Sequence, residues 1–141
     1  MPQFSKRSLQ NLKGVHPDLV KILEAAIKDS PVDFTITEGV RTLTRQQELY
    51  AQGRTKPGRK VTNADGVRNK SSHQPKDDGY GHAVDLYPYF DGQVQVHHPE
   101  VPKKQKEIAD HIKKKAKAMG LKIIWGGDWR NPYDPPHFQR G

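Results

Sequence analysis

The chain has 141 residues, enough for one hydrophobic core but too few for two comfortable domains, so we predict a single domain over residues 1–141. The absence of cysteine excludes disulfide frameworks, thiolate metal sites and hydrolases with a cysteine nucleophile. A formal net charge of +8 favours an anionic partner, such as nucleic acid or an acidic envelope polymer. We expect neither a transmembrane segment nor an export signal, because no apolar run is long enough and residues 1–10 lack an apolar stretch.

The first half of the chain predicts a helix, a strand and a second helix. Apolar residues at helical spacing predict a helix over residues 15–28. Alternation of apolar and polar residues predicts a half-buried strand over 33–37. The second helix is expected over 44–52, where Thr44 and Gln47 form a capping-box pattern.

Residues 54–79 are polar, rich in glycine, proline and lysine, and show no sustained periodicity. A loop of this length inside a compact domain is usually functional or mobile. We therefore predict a long mobile loop here that forms one wall of a substrate cleft.

The second half predicts strands around one more helix. Asp91-Gly92 indicates a hairpin, and the third helix ends at Gly120. Strands separated by single helices, with a hairpin between them, predict the α+β class: a small antiparallel sheet flanked by about three helices. The strands are expected at 82–87, 93–96, 122–125 and 136–139, and the helix at 104–119, with Ile108, Ile112, Ala116 and Met119 facing the core.

Much of the positive charge lies in the third helix. We interpret it as a solvated helix face. A basic nucleic-acid-binding module is a rival interpretation, which the lack of an aromatic-interleaved basic motif disfavours. The lysines concerned are Lys103, Lys104, Lys106, Lys113, Lys114, Lys115 and Lys117.

Four residues form a candidate catalytic zinc site: His73, Asp85, Asp134 and His137. Two histidines and one carboxylate leave the fourth position of a tetrahedral zinc ion open for water, and a further carboxylate can take the proton of that water. Taken singly, Asp85 is explained as a buried hydrogen-bonded carboxylate and His73 as a surface loop residue. The joint occurrence of these two residues with Asp134 and His137 favours the metal site.

Strand parity helps to choose the ligands. Asp85 shares its face of the predicted strand with Ala83 and Tyr87. His82 points to the other face and is therefore a poor candidate for a metal ligand beside Asp85. His73 must then reach the metal from the preceding loop.

Asp134 and His137 bracket two prolines, and residues before proline favour extended or polyproline geometry. With three residues per turn, both side chains lie on one side, so Asp134 would lean over the water beside His137. The alternative is that Asp134 starts a turn and His137 is a satisfied core histidine.

Three further features lie near these motifs. Arg41 follows the first strand and would stabilise a developing oxyanion, or would simply pair with Glu38. Trp125 and Trp129 flank a glycine-rich turn and would shape the cleft or belong to the core. Asp128, between them, would accept a hydrogen bond from a ligating histidine.

The combined motifs resemble a known family over residues 33–139. Three of them look like the zinc peptidases that include D-alanyl-D-alanine carboxypeptidases and dipeptidases: Ser71-x-His73, Gly81-x-Ala83-x-Asp85 and Asp134-x-x-His137. Three more look closer to the phage endolysins that are L-alanyl-D-glutamate peptidases: Thr37-Glu38-Gly39-Val40-Arg41-Thr42, Gln46-Gln47-Glu48-Leu49-Tyr50-Ala51-Gln52-Gly53 and Trp125-Gly126-Gly127-Asp128-Trp129.

The resemblance implies one zinc ion held by His73, Asp85 and His137, with Asp134 as general base and Arg41 as carbonyl or oxyanion stabiliser. It also implies the small α+β fold shared with the Hedgehog signalling domain. The chain departs from the family in one place: residues 74–80 separate His73 from the glycine, where the family usually has two residues.

The function expected from this resemblance is hydrolysis of the peptidoglycan stem peptide between L-alanine and D-glutamate, by a monomeric phage endolysin. Such an enzyme would accumulate in the host cytoplasm and reach the periplasm and cell wall at lysis, where its charge would favour anionic envelope polymers. The alternatives are a D-alanyl-D-alanine carboxypeptidase on the same scaffold, the nucleic-acid-binding module, and a non-catalytic zinc or wall-binding protein.

Overall fold

The computed structural model describes residues 3–62, 64–130 and 133–141, which form an α+β fold with an antiparallel sheet and four α-helices. The order of the main sheet is β1-β2-β5-β4, and β3 pairs with β2. The predicted fold class is confirmed, with one helix more than expected. The helices are α1 (Lys6–Leu12), α2 (Pro17–Asp29), α3 (Leu43–Ala51) and α4 (Val101–Ala118), and the strands are β1 (Phe34–Glu38), β2 (Ala83–Phe90), β3 (Gln93–Val94), β4 (Ile123–Trp125) and β5 (His137–Arg140).

Helix α1 is the element that the sequence pattern did not predict. It has seven residues and buries only Ser8 and Leu12, so it shows no recognisable apolar stripe. Polar contacts attach it to the sheet instead: the backbone N–H of Ile36 donates to the Ser8 hydroxyl at 2.9 Å, and the Asn11 amide donates to the Ile36 carbonyl at 2.8 Å. The helix therefore depends on tertiary contacts rather than on its own periodicity.

The core lies between the sheet and the pair formed by α2 and α4. These helices contact each other, and together they contact β2, β4 and β5. Ile108, Ile112 and Ala116 of α4 are buried as predicted, but Met119 is 41% exposed because it lies beyond the end of the helix. Gly120, with φ of 69°, follows that end.

Helix α3 begins one residue earlier than predicted, and its cap is different. The hydroxyl of Thr42, not of Thr44, accepts a hydrogen bond from the backbone N–H of Arg45 at 3.1 Å. Both threonines fit the N-cap preference, and the extended backbone of Thr42 decides between them.

The hairpin at Asp91 and Gly92 is confirmed, since both residues have positive φ, as a type I′ turn requires. Strand β3 is only two residues long, shorter than the predicted 93–96.

Register in the main sheet decides which side chains meet. Asp85 of β2 lies opposite His137 of β5 and, on the other side, opposite Glu38 of β1. Val84, Leu86 and Phe138 belong to the core, so the alternating Asp85 and His137 point to the face away from α2 and α4.

The described part of residues 54–79 contains no helix and no strand, as predicted. Local hydrogen bonds shape part of this loop instead: the Asp65 carboxylate accepts from the backbone N–H groups of Val67, Arg68 and Asn69. The mobility and the cleft-wall role of this loop stay predictions. Among the described residues, no helix has both the length and the apolar character that a membrane span needs.

We predict that Leu23→Ala lowers the free energy of unfolding by about 2–5 kcal/mol, because Leu23 of α2 is fully buried in the core. Leu9→Ala is the matched control, since Leu9 also lies in a helix but is 55% exposed. It should change the free energy by less than about 0.5 kcal/mol. Urea unfolding followed by circular dichroism measures both, and equal effects would contradict the placement of the core.

Candidate active site

Two of the predicted side chains, His73 and His137, converge on one oxygen atom of a third, Asp85. His137 Nδ1 lies 3.6 Å from Asp85 Oδ1, and His73 Nε2 lies 3.4 Å from the same oxygen. The register between β2 and β5 sets the first contact, while His73 enters from the loop before β2, as expected. The three residues form a group whose donor atoms all lie within 4.8 Å of one another.

The extra residues at 74–80 do not displace His73. They form a small turn of their own, in which the backbone N–H of Lys76 donates to the Tyr80 carbonyl at 2.9 Å. The chain is fixed on both sides of this turn: the His73 carbonyl accepts from Arg41 N–H, and the Ser72 carbonyl accepts from His82 N–H, both at 2.8 Å. The insertion therefore projects between two anchored points, and His82 stays out of the group, as strand parity predicts.

Neighbouring groups fix the orientation of the two imidazoles. His73 Nδ1 lies 2.9 Å from the Gly39 carbonyl oxygen, which only accepts, so the ring proton is on Nδ1 and the Nε2 lone pair faces Asp85. His137 Nε2 lies 2.7 Å from Gln139 Oε1, which leaves the Nδ1 lone pair facing Asp85 in the same way. Such outer hydrogen bonds are usual for metal-ligating histidines.

The predicted role of Asp128 as that outer acceptor is wrong. Its carboxylate forms an ion pair with Lys113 of α4 at 2.6 Å. Gln139 fills this role for His137 instead; it was not among the predicted site residues, although strand parity places it on the same face as His137, two residues away.

Asp85 Oδ1 is a buried oxygen with no hydrogen-bond partner among the described residues. Buried carboxylate oxygens normally have partners, so this oxygen and the two imidazole lone pairs together fit a bound cation. The donor set of two nitrogens and one oxygen suits zinc and leaves one coordination position free. Burial acts to raise the pKa of Asp85, but hydrogen bonds and positive charge from the His137 and His73 imidazoles in their protonated forms outweigh it and hold that pKa below its usual range.

Asp134 reaches the site through a turn, not through polyproline geometry. The backbone N–H of His137 donates to the Asp134 carbonyl at 3.1 Å, which closes a tight turn around the two prolines. Asp134 Oδ2 then lies 3.8 Å from His137 Nδ1, so the expected proximity is correct although its backbone basis is different. Burial and the nearby Asp85 charge raise the pKa of the Asp134 carboxyl above its ordinary value.

The glycine-rich turn before β5 supports this arrangement. The Gly126 carbonyl accepts from the backbone N–H of Asp134 at 3.0 Å, and a Cβ at Gly126 would collide with the Asp134 carbonyl oxygen. Trp125 is buried in the core and donates from Nε1 to the Pro135 carbonyl at 2.7 Å. Trp129 lies at the site, with its ring centroid 5.0 Å from that of His137.

Arg41 is buried beside the three converging residues. Its Nε and Nη2 atoms donate to the two Glu38 carboxylate oxygens at 2.8 and 2.9 Å, so the pair with Glu38 exists. Nη1 donates to Gln46 Oε1 at 2.8 Å and to Ser71 Oγ at 3.4 Å. Nη2 also lies 3.9 Å from Asp85 Oδ2, which places the guanidinium at the edge of the site.

We predict that Asp85→Ala and His137→Ala each lose one equivalent of zinc, because each removes a donor atom from the group of three. His97→Gln is the control, since His97 is exposed and lies outside the group. Zinc per chain is measured by mass spectrometry after dialysis against a small excess of the metal. Full zinc content in either site variant would remove that residue from the ligand set.

Comparisons with known proteins identify relatives of this chain. A family model described as phage L-alanyl-D-glutamate peptidase matches residues 1–140. The chain is 36% identical over 143 residues to the peptidoglycan L-alanyl-D-glutamate endopeptidase CwlK of Bacillus subtilis, covering 96% of this chain and 80% of CwlK. It is 30% identical over 127 residues to the L-alanyl-D-glutamate peptidase of Escherichia phage T5, covering 90% and 81% of the two chains.

Solved structures show the same fold. The L-Ala D-Glu endopeptidase ChiX of Serratia marcescens superposes with a TM-score of 0.74 at 30% identity, over 99% of this chain and 91% of ChiX. The D,D-pentapeptidase VanY, solved in complex with Zn(II), superposes with a TM-score of 0.53 at 17% identity, over 89% and 72% of the two chains, and this likeness concerns the fold alone. Because the family model matches residues 1–140, nearly the whole of this chain, the chain belongs to the phage L-alanyl-D-glutamate peptidase family.

Proposed function

We propose that this chain is a zinc-dependent peptidoglycan peptidase that hydrolyses the bond between L-alanine and D-glutamate in the stem peptide. The observation that carries the proposal is the convergence of His73 Nε2 and His137 Nδ1 on the partnerless Asp85 Oδ1. The family and the names of CwlK, the phage T5 peptidase and ChiX supply the substrate and the bond.

His73, Asp85 and His137 would hold one zinc ion at this site. When bound there, zinc supplies Lewis-acid chemistry that acidifies a water molecule and polarises a carbonyl group. The carbonyl of Gly39 and the amide oxygen of Gln139 keep both imidazoles in the tautomer that ligation needs.

Asp134 is the proposed general base. Its Oδ2 lies close to His137 Nδ1, so it is within reach of a water molecule at the open side of the site. In the proposed reaction this oxygen takes a proton from the attacking water as the new C–O bond forms, and returns it to the amine of D-glutamate as the C–N bond breaks. The raised pKa of Asp134 brings the group closer to the pH at which a base is most effective.

Arg41 is the proposed stabiliser of the substrate carbonyl. Glu38 and Gln46 hold its guanidinium from two sides, so the position of the positive charge is set before substrate binds. A charge fixed in this way stabilises a developing oxyanion without reorganising during the reaction.

We further propose that the chain acts as a monomeric phage endolysin, made in the host cytoplasm and acting on the wall at lysis. The phage T5 relative supports this setting. The positive charge would assist adhesion to anionic envelope polymers, although several lysines of α4 are already paired, as in Lys106–Asp110 and Lys115–Asp29.

Digestion of purified muropeptides, followed by mass spectrometry, tests the proposed bond. We expect new N-terminal D-glutamate and no free D-alanine. Release of free D-alanine would instead identify a D-alanyl-D-alanine carboxypeptidase, and binding to DNA without any muropeptide cleavage would favour the nucleic-acid-binding alternative.

We predict that Asp134→Asn retains zinc and lowers the hydrolysis rate by about 10²–10⁴-fold, the usual contribution of a general base. In the unsubstituted protein the rate should fall as pH decreases through the raised pKa of Asp134, because only the carboxylate accepts a proton. Asp128→Asn is the matched control, since Asp128 is a nearby aspartate that pairs with Lys113. Loss of zinc in Asp134→Asn would make Asp134 a ligand and require another base.

A further inference from the structure

A second cluster of metal-ligating side chains lies outside the proposed active site. Asp78 Oδ2 is 2.7 Å from His82 Nε2 and 3.7 Å from His16 Nε2, and the ring centroids of the two histidines are 5.0 Å apart. The three donor atoms lie within 4.8 Å of one another. Two distant parts of the chain therefore meet at one point: the start of α2, and the segment that runs from the insertion at 74–80 to the residue before β2.

This cluster is separate from the proposed catalytic group. His82 and Asp85 are three residues apart along an extended chain, so their side chains point to opposite faces of the sheet. Asp85 faces away from the helices, whereas His82 lies on the side of α2, whose N-cap residue is His16. The two groups share no residue.

The chemistry of the cluster suits a divalent transition-metal ion. Two imidazole nitrogens and one carboxylate oxygen form a donor set of the kind that zinc takes. The tetrahedral arrangement needs donor atoms about 3.3 Å apart, from metal–ligand bonds near 2 Å. The distances from Asp78 Oδ2 to the Nε2 atoms of His82 and His16, 2.7 and 3.7 Å, lie on either side of that value. Small side-chain movements would therefore bring the three donor atoms to ligand spacing. Asp78 is partly exposed, which leaves a path for the ion and a position for water.

Ligation has a specific consequence for His16. Its Nδ1 accepts the backbone N–H of Asp18 at 3.1 Å, so the neutral ring carries its proton on Nε2. Binding through Nε2 shifts the ring proton to Nδ1, which can then no longer accept from Asp18 N–H, so ligation breaks this N-cap hydrogen bond. In the absence of metal, the His82–Asp78 hydrogen bond and the ring contact between Tyr80 and His16 hold the insertion beside the start of β2.

We propose that His16, Asp78 and His82 form a second metal site, which binds a divalent transition-metal ion and clamps residues 74–80 to the N-terminus of α2. The clamp acts on the turn closed by Lys76 N–H to Tyr80 carbonyl and by Gly79 N–H to Lys76 carbonyl. That turn follows His73 directly, so the second ion would order the segment next to the proposed catalytic group without taking part in the reaction.

Cobalt(II) binding to metal-free His137→Ala protein tests the site, because this variant lacks one of the proposed catalytic ligands. We expect visible d–d absorption from cobalt bound at the second cluster. Adding His82→Ala should abolish the absorption, and adding Asp78→Asn, which keeps the shape of an exposed side chain, should weaken binding by at least about tenfold. Adding His97→Gln should leave binding unchanged. No absorption in His137→Ala, or the same absorption with His82→Ala, would overturn the proposal.

A second measurement uses the unsubstituted protein, so that it does not depend on the folding of a variant. Zinc titration should bring one equivalent beyond the catalytic one, and hydrogen exchange at the amides of Lys76 and Gly79 should slow as it binds. Binding of a single zinc equivalent, with unchanged hydrogen exchange at these amides, would contradict the second site. It would show that hydrogen bonds hold the cluster together without a metal ion.

Discussion

The pairing of β2 with β5 is the constraint on which the rest of the site depends. It places Asp85 directly opposite His137, with both side chains on the face away from α2 and α4. A register slip of one residue would turn one of these side chains into the core and leave a charged or polar group there without a partner. Because Val84, Leu86 and Phe138 are buried on the other face, hydrophobic burial itself holds the register between Asp85 and His137.

The loop residues are then brought to that fixed pair by backbone contacts. The carbonyl oxygen of His73 accepts from Arg41, and its imidazole contacts the Gly39 carbonyl, so one short segment after β1 positions both His73 and the guanidinium. Gly39 itself has no room for a Cβ, which would collide with the Asn11 carbonyl of α1. The short first helix thus supports the site through the backbone, and this explains how a polar helix with little core contact is part of the fold.

Several features were accessible from the sequence. The strand that carries Asp85 and the helices α2 and α4 have clear periodicity, and strand parity correctly separated His82 from Asp85. Other features were not accessible: α1 lacks an apolar stripe, and the sequence left polyproline geometry and a turn both open at Asp134, between which hydrogen bonds with His137 N–H and the Gly126 carbonyl select the turn. These depend on partners far away or on turn closure, which local preferences do not encode.

The sequence by itself determined the donor types, the face on which Asp85 lies and the family resemblance, because these follow from residue identity, alternation and motif spacing. Only the tertiary structure decided that His73 stays in place despite the residues at 74–80, that Gln139 and Gly39 orient the rings, and that Asp128 pairs with Lys113 instead. The physical reason is the same in each case: a hydrogen bond or ion pair exists only after the folded backbone has brought its two groups within about 3 Å of each other.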